Sequence, residues 1–97
     1  MGEALLKAAG EGRWEISGTL DFSTVPVVWS QLQQAIRDHG QLEISLQGVV
    51  SSNSAALALL LEAKDFAAAG GASLRFSDLP RGMTDLAALS NALPLLS

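Results

Sequence analysis

The chain has no cysteine, no tyrosine and a single histidine in 97 residues. The missing thiols exclude disulfides, thiolate metal sites and cysteine nucleophiles. With only His39, no histidine or Cys–His pair is available to hold a metal. Its position just before Gly40 is that of a solvated residue at a helix C-terminus, where positive charge is favoured. Cations are scarce as well. The six of them, Lys7, Arg13, Arg37, Lys64, Arg75 and Arg81, are scattered, and the formal net charge is -4. A nucleic-acid groove requires clustered positive charge, so no nucleic-acid partner is expected. An anionic membrane surface is disfavoured on the same ground.

Long hydrophobic runs are also missing. The apolar stretch from Ala55 ends at Glu62, Lys64 and Asp65, well short of the roughly 20 residues a membrane span requires. The start, Met1-Gly2-Glu3, is acidic, and the short run from Ala4 is broken by Lys7, which is not the pattern of a secretory leader. The expectation is a cytoplasmic protein with no direct membrane insertion. Neither phosphate-binding fingerprint, GxxxxGK[ST] or GxGxxG, occurs. The acidic residues form no pair suited to acid/base work, and no nucleophile triad can be assembled. The chain is therefore expected not to be an enzyme, with no catalytic residues, metal or cofactor.

What is present is an alanine-rich, 48% hydrophobic chain whose length fits one domain over residues 1–97. That is enough chain to bury a core without staples. The high apolar content leaves surface that a partner would cover. Ala4 to Ala9 reads as a strand, Gly10-Glu11-Gly12 as a turn, and Arg13 to Gly18 alternates as a half-buried strand. Trp14 shares a face with Ile16 and reads as core. Ser23 or Thr24 suits an N-cap, with Pro26 in the first turn. Val25, Val28, Trp29, Leu32, Ala35 and Ile36 then recur at helical spacing up to Gly40. Leu42, Ile44 and Leu46 mark the next strand.

A second helix runs from about Ser54 to Ala69 and stops at Gly70-Gly71. Ala72 to Phe76 is a strand. Pro80 opens a third helix with Met83, Leu86, Ala87 and Leu89 on its buried side. Asn91 to Ser97 reads as a tail, with Pro94 preventing further helix. The order β-β-α-β-α-β-α specifies an α/β fold with a mixed four-stranded sheet. The first pair is antiparallel and the pairs joined by helices are parallel.

Between the third strand and the second helix lies Val49-Val50-Ser51-Ser52-Asn53-Ser54, a small polar loop feeding an apolar helix. Asn53 or Ser52 in this place caps the helix. The same hydroxyls at a helix N-terminus also suit a regulatory phosphate or an anion. Trp29 reads as core by its spacing. Asp21 reads as a turn or cap residue.

These segments resemble the STAS domain family. Ile16-Ser17-Gly18-Thr19-Leu20-Asp21 is similar to that family's G-x-L-D turn, Leu42 to Leu46 to its central strand, and Val49 to Leu61 to its V-x-x-[VI]-D-[ST]-[SG]-G-L segment. Trp29, three residues after Pro26, and the run Ala55 to Leu61 are most similar to the MlaB-like subgroup. Those are the STAS subunits of ABC phospholipid transporters in Gram-negative bacteria. Asn53 stands where the family usually has Asp. Ser54 falls on the Ser/Thr phosphorylated in the anti-sigma-factor antagonists, and Ala55 and Ala56 replace glycines.

The resemblance implies a non-catalytic subunit that binds and supports the cytoplasmic ATPase subunit of a lipid transporter maintaining outer-membrane asymmetry. Such a subunit would sit in a hetero-oligomeric complex, held at the inner membrane through its partner. The partner-binding residues it implies are Trp29, Ser52, Asn53, Ser54, Ala55, Ala56 and Leu57. The alternative is an anti-sigma-factor antagonist switched by phosphorylation of Ser54.

Overall fold

The four strands lie in the sheet in chain order, because each connection returns the chain to the next free edge of the growing sheet. The computed structural model describes residues 3–90 and 93–96. The strands are β1 (Ala4–Gly10), β2 (Arg13–Leu20), β3 (Gln41–Ser52) and β4 (Ser73–Ser77); the helices are α1 (Val25–Asp38), α2 (Ser54–Ala69) and α3 (Arg81–Leu89), followed by a 3₁₀ turn, Leu93–Leu96. β1 and β2 are antiparallel, while β2–β3 and β3–β4 are parallel across α1 and α2. The expected α/β architecture with a mixed four-stranded sheet is the one observed.

The core lies between one sheet face and the helices, with α2 packed against both α1 and α3. Ile16, Leu20, Ile44 and Leu46 from the sheet meet Val28, Leu32 and Leu60 from the helices, all fully buried. Leu20 apart, these are the residues that alternate along the strands or recur along the helices, so binary pattern and burial agree. On the open sheet face the register sets Glu43 between Arg13 and Arg75. Arg13 and Glu43 pair at 3.6 Å, an exposed contact of small energetic weight.

Two strands run further than their alternation suggests. β2 continues through Thr19 and Leu20, and β3 through Ser51 and Ser52, with Thr19 opposite Ser51 and Leu20 opposite Ser52. The register shifts between Glu15 and Ser17 and again between Gly18 and Thr19. Each irregularity changes which side chains face the core, which disguises the strand in the sequence. Gly18, at φ +96°, also lets β1 approach closely: a Cβ there would collide with the Glu3 carbonyl, whose oxygen accepts from Thr19 N at 2.7 Å. The Gly18–Leu20 segment is thus strand, and the turn begins at Asp21.

Other boundaries are corrected as well. α1 ends at Asp38, with His39 extended after it, rather than at Gly40. Gly70-Gly71 does stop α2. Gly71 takes φ +75°, Gly71 N donates to Ala68 O at 3.2 Å and Ala72 N to Ala67 O at 2.8 Å, the paired bonds of a Schellman closure. Leu89 is 84% exposed and not on the buried side of α3, which Met83 and Ala87 form. The C-terminal segment is more than a tail, since Leu96 is buried against the core; Asn91, Ala92 and Ser97 lie outside the described residues. Trp14 is half-buried at the core's edge, its ring meeting His39 edge-on at 5.8 Å. His39 is exposed, as expected, and its Nδ1 lies 3.1 Å from the Ala35 carbonyl oxygen.

Candidate functional site: a groove between two helix starts

The parallel strands β2 and β3 deliver both helix starts, α1 and α2, to the same end of the sheet. The chain secures each start with a short polar side chain. At α1, Asp21 Oδ1 accepts from Ser23 N at 2.9 Å, Ser23 Oγ at 2.7 Å and Thr24 N at 3.1 Å. The Ser23 hydroxyl, then the Ser23 and Thr24 amides, hold the Asp21 carboxyl below its ordinary value, because they stabilise the charged form. Thr24 Oγ1 accepts from Asp21 N at 3.0 Å and donates to Thr19 O at 2.8 Å. Thr24 occupies the N-cap position without a side-chain cap bond. Asp21, three residues upstream, satisfies the free amides in its place.

At α2 the connection is a single residue. Asn53 follows β3 directly and its Oδ1 accepts from Ala55 N at 2.9 Å, so it is the N-cap. Ser51 and Ser52, read from the sequence as loop, belong to β3. Ser54 is the first residue of α2 and is exposed.

Between these two starts the surface forms an open groove of about 260 Å³, lined by Phe22, Val25, Trp29, Ala55, Ala58, Leu59 and Glu62. The positions on α2, 55, 58, 59 and 62, and those on α1, 25 and 29, are spaced as one helix face each, and Phe22 joins them from the turn before α1. Phe22 is 74% exposed, a large apolar group left in water at the groove mouth. At the other end Trp29 meets Phe66 edge to face, with centroids 5.5 Å apart. Larger depressions, such as one of about 520 Å³ beside Arg37, His39 and Gly70, lie away from Ser54. Among the described residues no group of three or more His, Asp or Glu could hold a metal. No helix there is long and apolar enough to cross a membrane.

The groove sets Trp29 and Ala55, near the start of α2, along one surface. It also divides the expected contact set. Ser52 is half-buried in β3, while Asn53 and Ser54 are exposed beside the groove. Ala56 and Leu57 turn into the core, at 0% and 7% exposure, and Ala55 keeps only 6%. Leu57 is therefore no apolar anchor for a partner, since its side chain is already covered by this chain's own core. Phe22, Ala58 and Glu62 take the exposed positions instead. Helical spacing from Ala55 would have pointed to Ala58 and Glu62; nothing local marked Phe22.

A family model described as "Mlab, STAS domain" matches residues 4–95. The chain belongs to the STAS domain family. Domains of this family act through protein–protein contacts. Two solved structures are similar in fold. One is the anti-sigma factor antagonist SpoIIAA in its unphosphorylated form, at 15% identity and TM-score 0.72, covering 97% of this chain and 85% of that one. The other is the Bacillus cell fate determinant SpoIIAA in its phosphorylated form, at 16% identity and TM-score 0.69, covering 97% and 88%. A comparison with curated proteins gives no match.

Proposed function

We propose that this STAS domain is a non-catalytic subunit of a bacterial ABC-type phospholipid transport system. It binds and supports the cytoplasmic ATPase subunit and is held at the inner membrane through that partner. The observation that carries this reading is the apolar groove beside exposed Ser54, with Phe22 left 74% exposed at its mouth. An apolar slot with aromatic walls and a polar rim is the anatomy of a protein contact. The description of the matching family model supports the choice of partner. Asn53 supports a constitutive contact. Where relatives carry a carboxylate next to the hydroxyl, this chain has a neutral amide whose oxygen already accepts from Ala55 N.

Affinity purification of the tagged protein from its own host tests the reading. Recovery of an ABC ATPase with its membrane subunits is the expected result. Ser54→Arg is expected to abolish that recovery while leaving the circular dichroism spectrum unchanged. Recovery of a kinase-like anti-sigma factor in place of the ATPase overturns the reading.

A second reading rests on Ser54 itself, exposed in the first turn of α2. There, phosphorylation would add about -1.5 to -2 charge beside an apolar contact. In this reading the domain is an anti-sigma-factor antagonist released by the phosphate. Intact mass measured across growth conditions separates the two, since this reading requires a phosphorylated form.

A further inference from the structure

The sheet has two edges, and β4 is the shorter of the two edge strands. Its ladder to β3 fixes which of its backbone groups are used. Ser73 N donates to Gly40 O at 2.9 Å, and Ser73, Arg75 and Ser77 lie opposite Gln41, Glu43 and Ser45. In a parallel ladder alternate residues turn both N–H and C=O to the same neighbour. Ser73, Arg75 and Ser77 therefore face β3, and the backbones of Leu74 and Phe76 face out of the sheet. An outward row of this kind is a template for a further strand.

The chain occupies that row itself. Lys64, on α2, donates from Nζ to the Leu74 carbonyl oxygen at 2.7 Å. The same ammonium lies 5.9 Å from the centroid of the Phe76 ring. Lys64 thus reaches both outward-facing residues of β4. A bond from an ammonium to a carbonyl is charge-assisted and stronger than one from an amide. A strand arriving at this edge would replace it with an ordinary ladder bond and would leave the ammonium to be desolvated beside new backbone.

A second cation opposes one arrangement in particular. Arg75 is exposed on the open sheet face. Two copies pairing β4 antiparallel, with Leu74 of one opposite Phe76 of the other, would set Arg75 opposite its own symmetry mate. Like charges directly opposite destabilise a strand pair. Glu43 is the neighbour of Arg75 in the register, but its carboxylate pairs with Arg13 at 3.6 Å.

We infer that Lys64 is an edge clamp. It closes β4 to strand addition by a second copy, with Arg75 as a further barrier in the matched register, and so holds the sheet at four strands. The role does not depend on the partner proposed above.

The test uses the full chain in an Arg75→Ser background, which removes the further barrier, with mass measured by light scattering across a concentration series. Arg75→Ser alone is expected to stay at the 10.1 kDa of a single chain, because Lys64 still holds the Leu74 carbonyl. Adding Lys64→Met keeps an unbranched apolar stem and removes the donor, and the mass is expected to double. Adding Lys64→Arg in its place restores a cationic donor and is expected to return the monomer. Circular dichroism checks that each variant is folded. Amide exchange locates the contact: the Phe76 N–H is expected to exchange faster than the Arg75 N–H in the wild type and to gain protection in the doubled species. A folded double variant that stays monomeric overturns the inference. So does Arg75→Ser alone doubling as fully as the double variant, or a dimer in which the Phe76 N–H gains no protection. The wild-type exchange stands whether or not the methionine variant folds. Equal protection of the Phe76 and Arg75 amides there overturns the outward edge on which the inference rests.

Discussion

Trp29 and Phe66 meet edge to face across the α1–α2 seam, centroids 5.5 Å apart and planes at 79°. Phe66 in turn carries the Arg37 guanidinium over its ring. The contact holds Trp29, which lines the groove, against α2. Phe66→Ala is expected to cost about 1–3 kcal/mol, less than a fully buried aromatic because Phe66 is half-buried. Urea denaturation measures the loss. Trp29 fluorescence anisotropy in the folded variant is expected to fall as the ring loses its partner.

Gly18 is expected to accept no other residue. Its φ of +96° and the contact a Cβ would make with the Glu3 carbonyl act together. Gly18→Ala is expected to destabilise the fold by about 2–4 kcal/mol, through left-handed strain and displacement of β1. Amide exchange should show the loss concentrated in the β1–β2 pairing. Protection of β1 equal to that of the wild type would contradict the close approach.

Asp21 makes α1 sensitive to acid. Its folded-state carboxyl titrates below the ordinary 3.8 because the Ser23 hydroxyl and the Ser23 and Thr24 amides hold the charged form. A depressed folded value means the contribution is complete above the unfolded value and is lost as pH falls through the folded one. The stability difference between wild type and Asp21→Ala is therefore expected to be constant near neutrality and to shrink only below about pH 4, following the carboxylate's own titration. Urea midpoints from pH 2 to 7 check this. A difference that already disappears at pH 5 to 6 would assign the effect to another group.

Asn53 caps α2 through its bond to Ala55 N. Asn53→Ala is expected to cost about 1 kcal/mol, the usual loss of a side-chain cap. Asn53→Asp is expected to match or slightly exceed the wild type, because a carboxylate caps equally well and favours the helix dipole. Thermal denaturation of the three proteins at low salt measures the order. The Asp variant also sets a carboxylate beside the Ser54 hydroxyl, so in vitro phosphorylation of its Ser54 tests whether the amide limits that chemistry.

Much of the architecture was legible because period and composition agree along most of the chain. The alternation of Leu42, Ile44 and Leu46, the helical recurrence through Val28, Leu32 and Ile36, and the Gly70-Gly71 stop each follow from local sterics and a single buried face. Legibility failed where pairing overrides that local pattern. Ser51 and Ser52 read as loop because they are small and polar, yet their backbones complete the ladder to Thr19 and Leu20 beyond a register shift. Leu89 read as buried because a helix of nine residues is too short for its pattern to separate an inward face from its flank. Leu96 read as tail, although the core has a place for it.

The same division holds at the site. By itself the sequence determined that a helix starts at Ser54, that Asn53 can cap it, and that Trp29 lies on the apolar stripe of α1, since these depend on neighbours within a turn. Only the tertiary structure decided that Leu57 turns inward and that Phe22 stands in solvent. It alone brought Trp29, Ala58 and Glu62 into one groove. The physical reason is that burial and apposition depend on how two helices cross above the sheet. That crossing is set by the summed packing of residues far apart in the chain, and no local pattern encodes it.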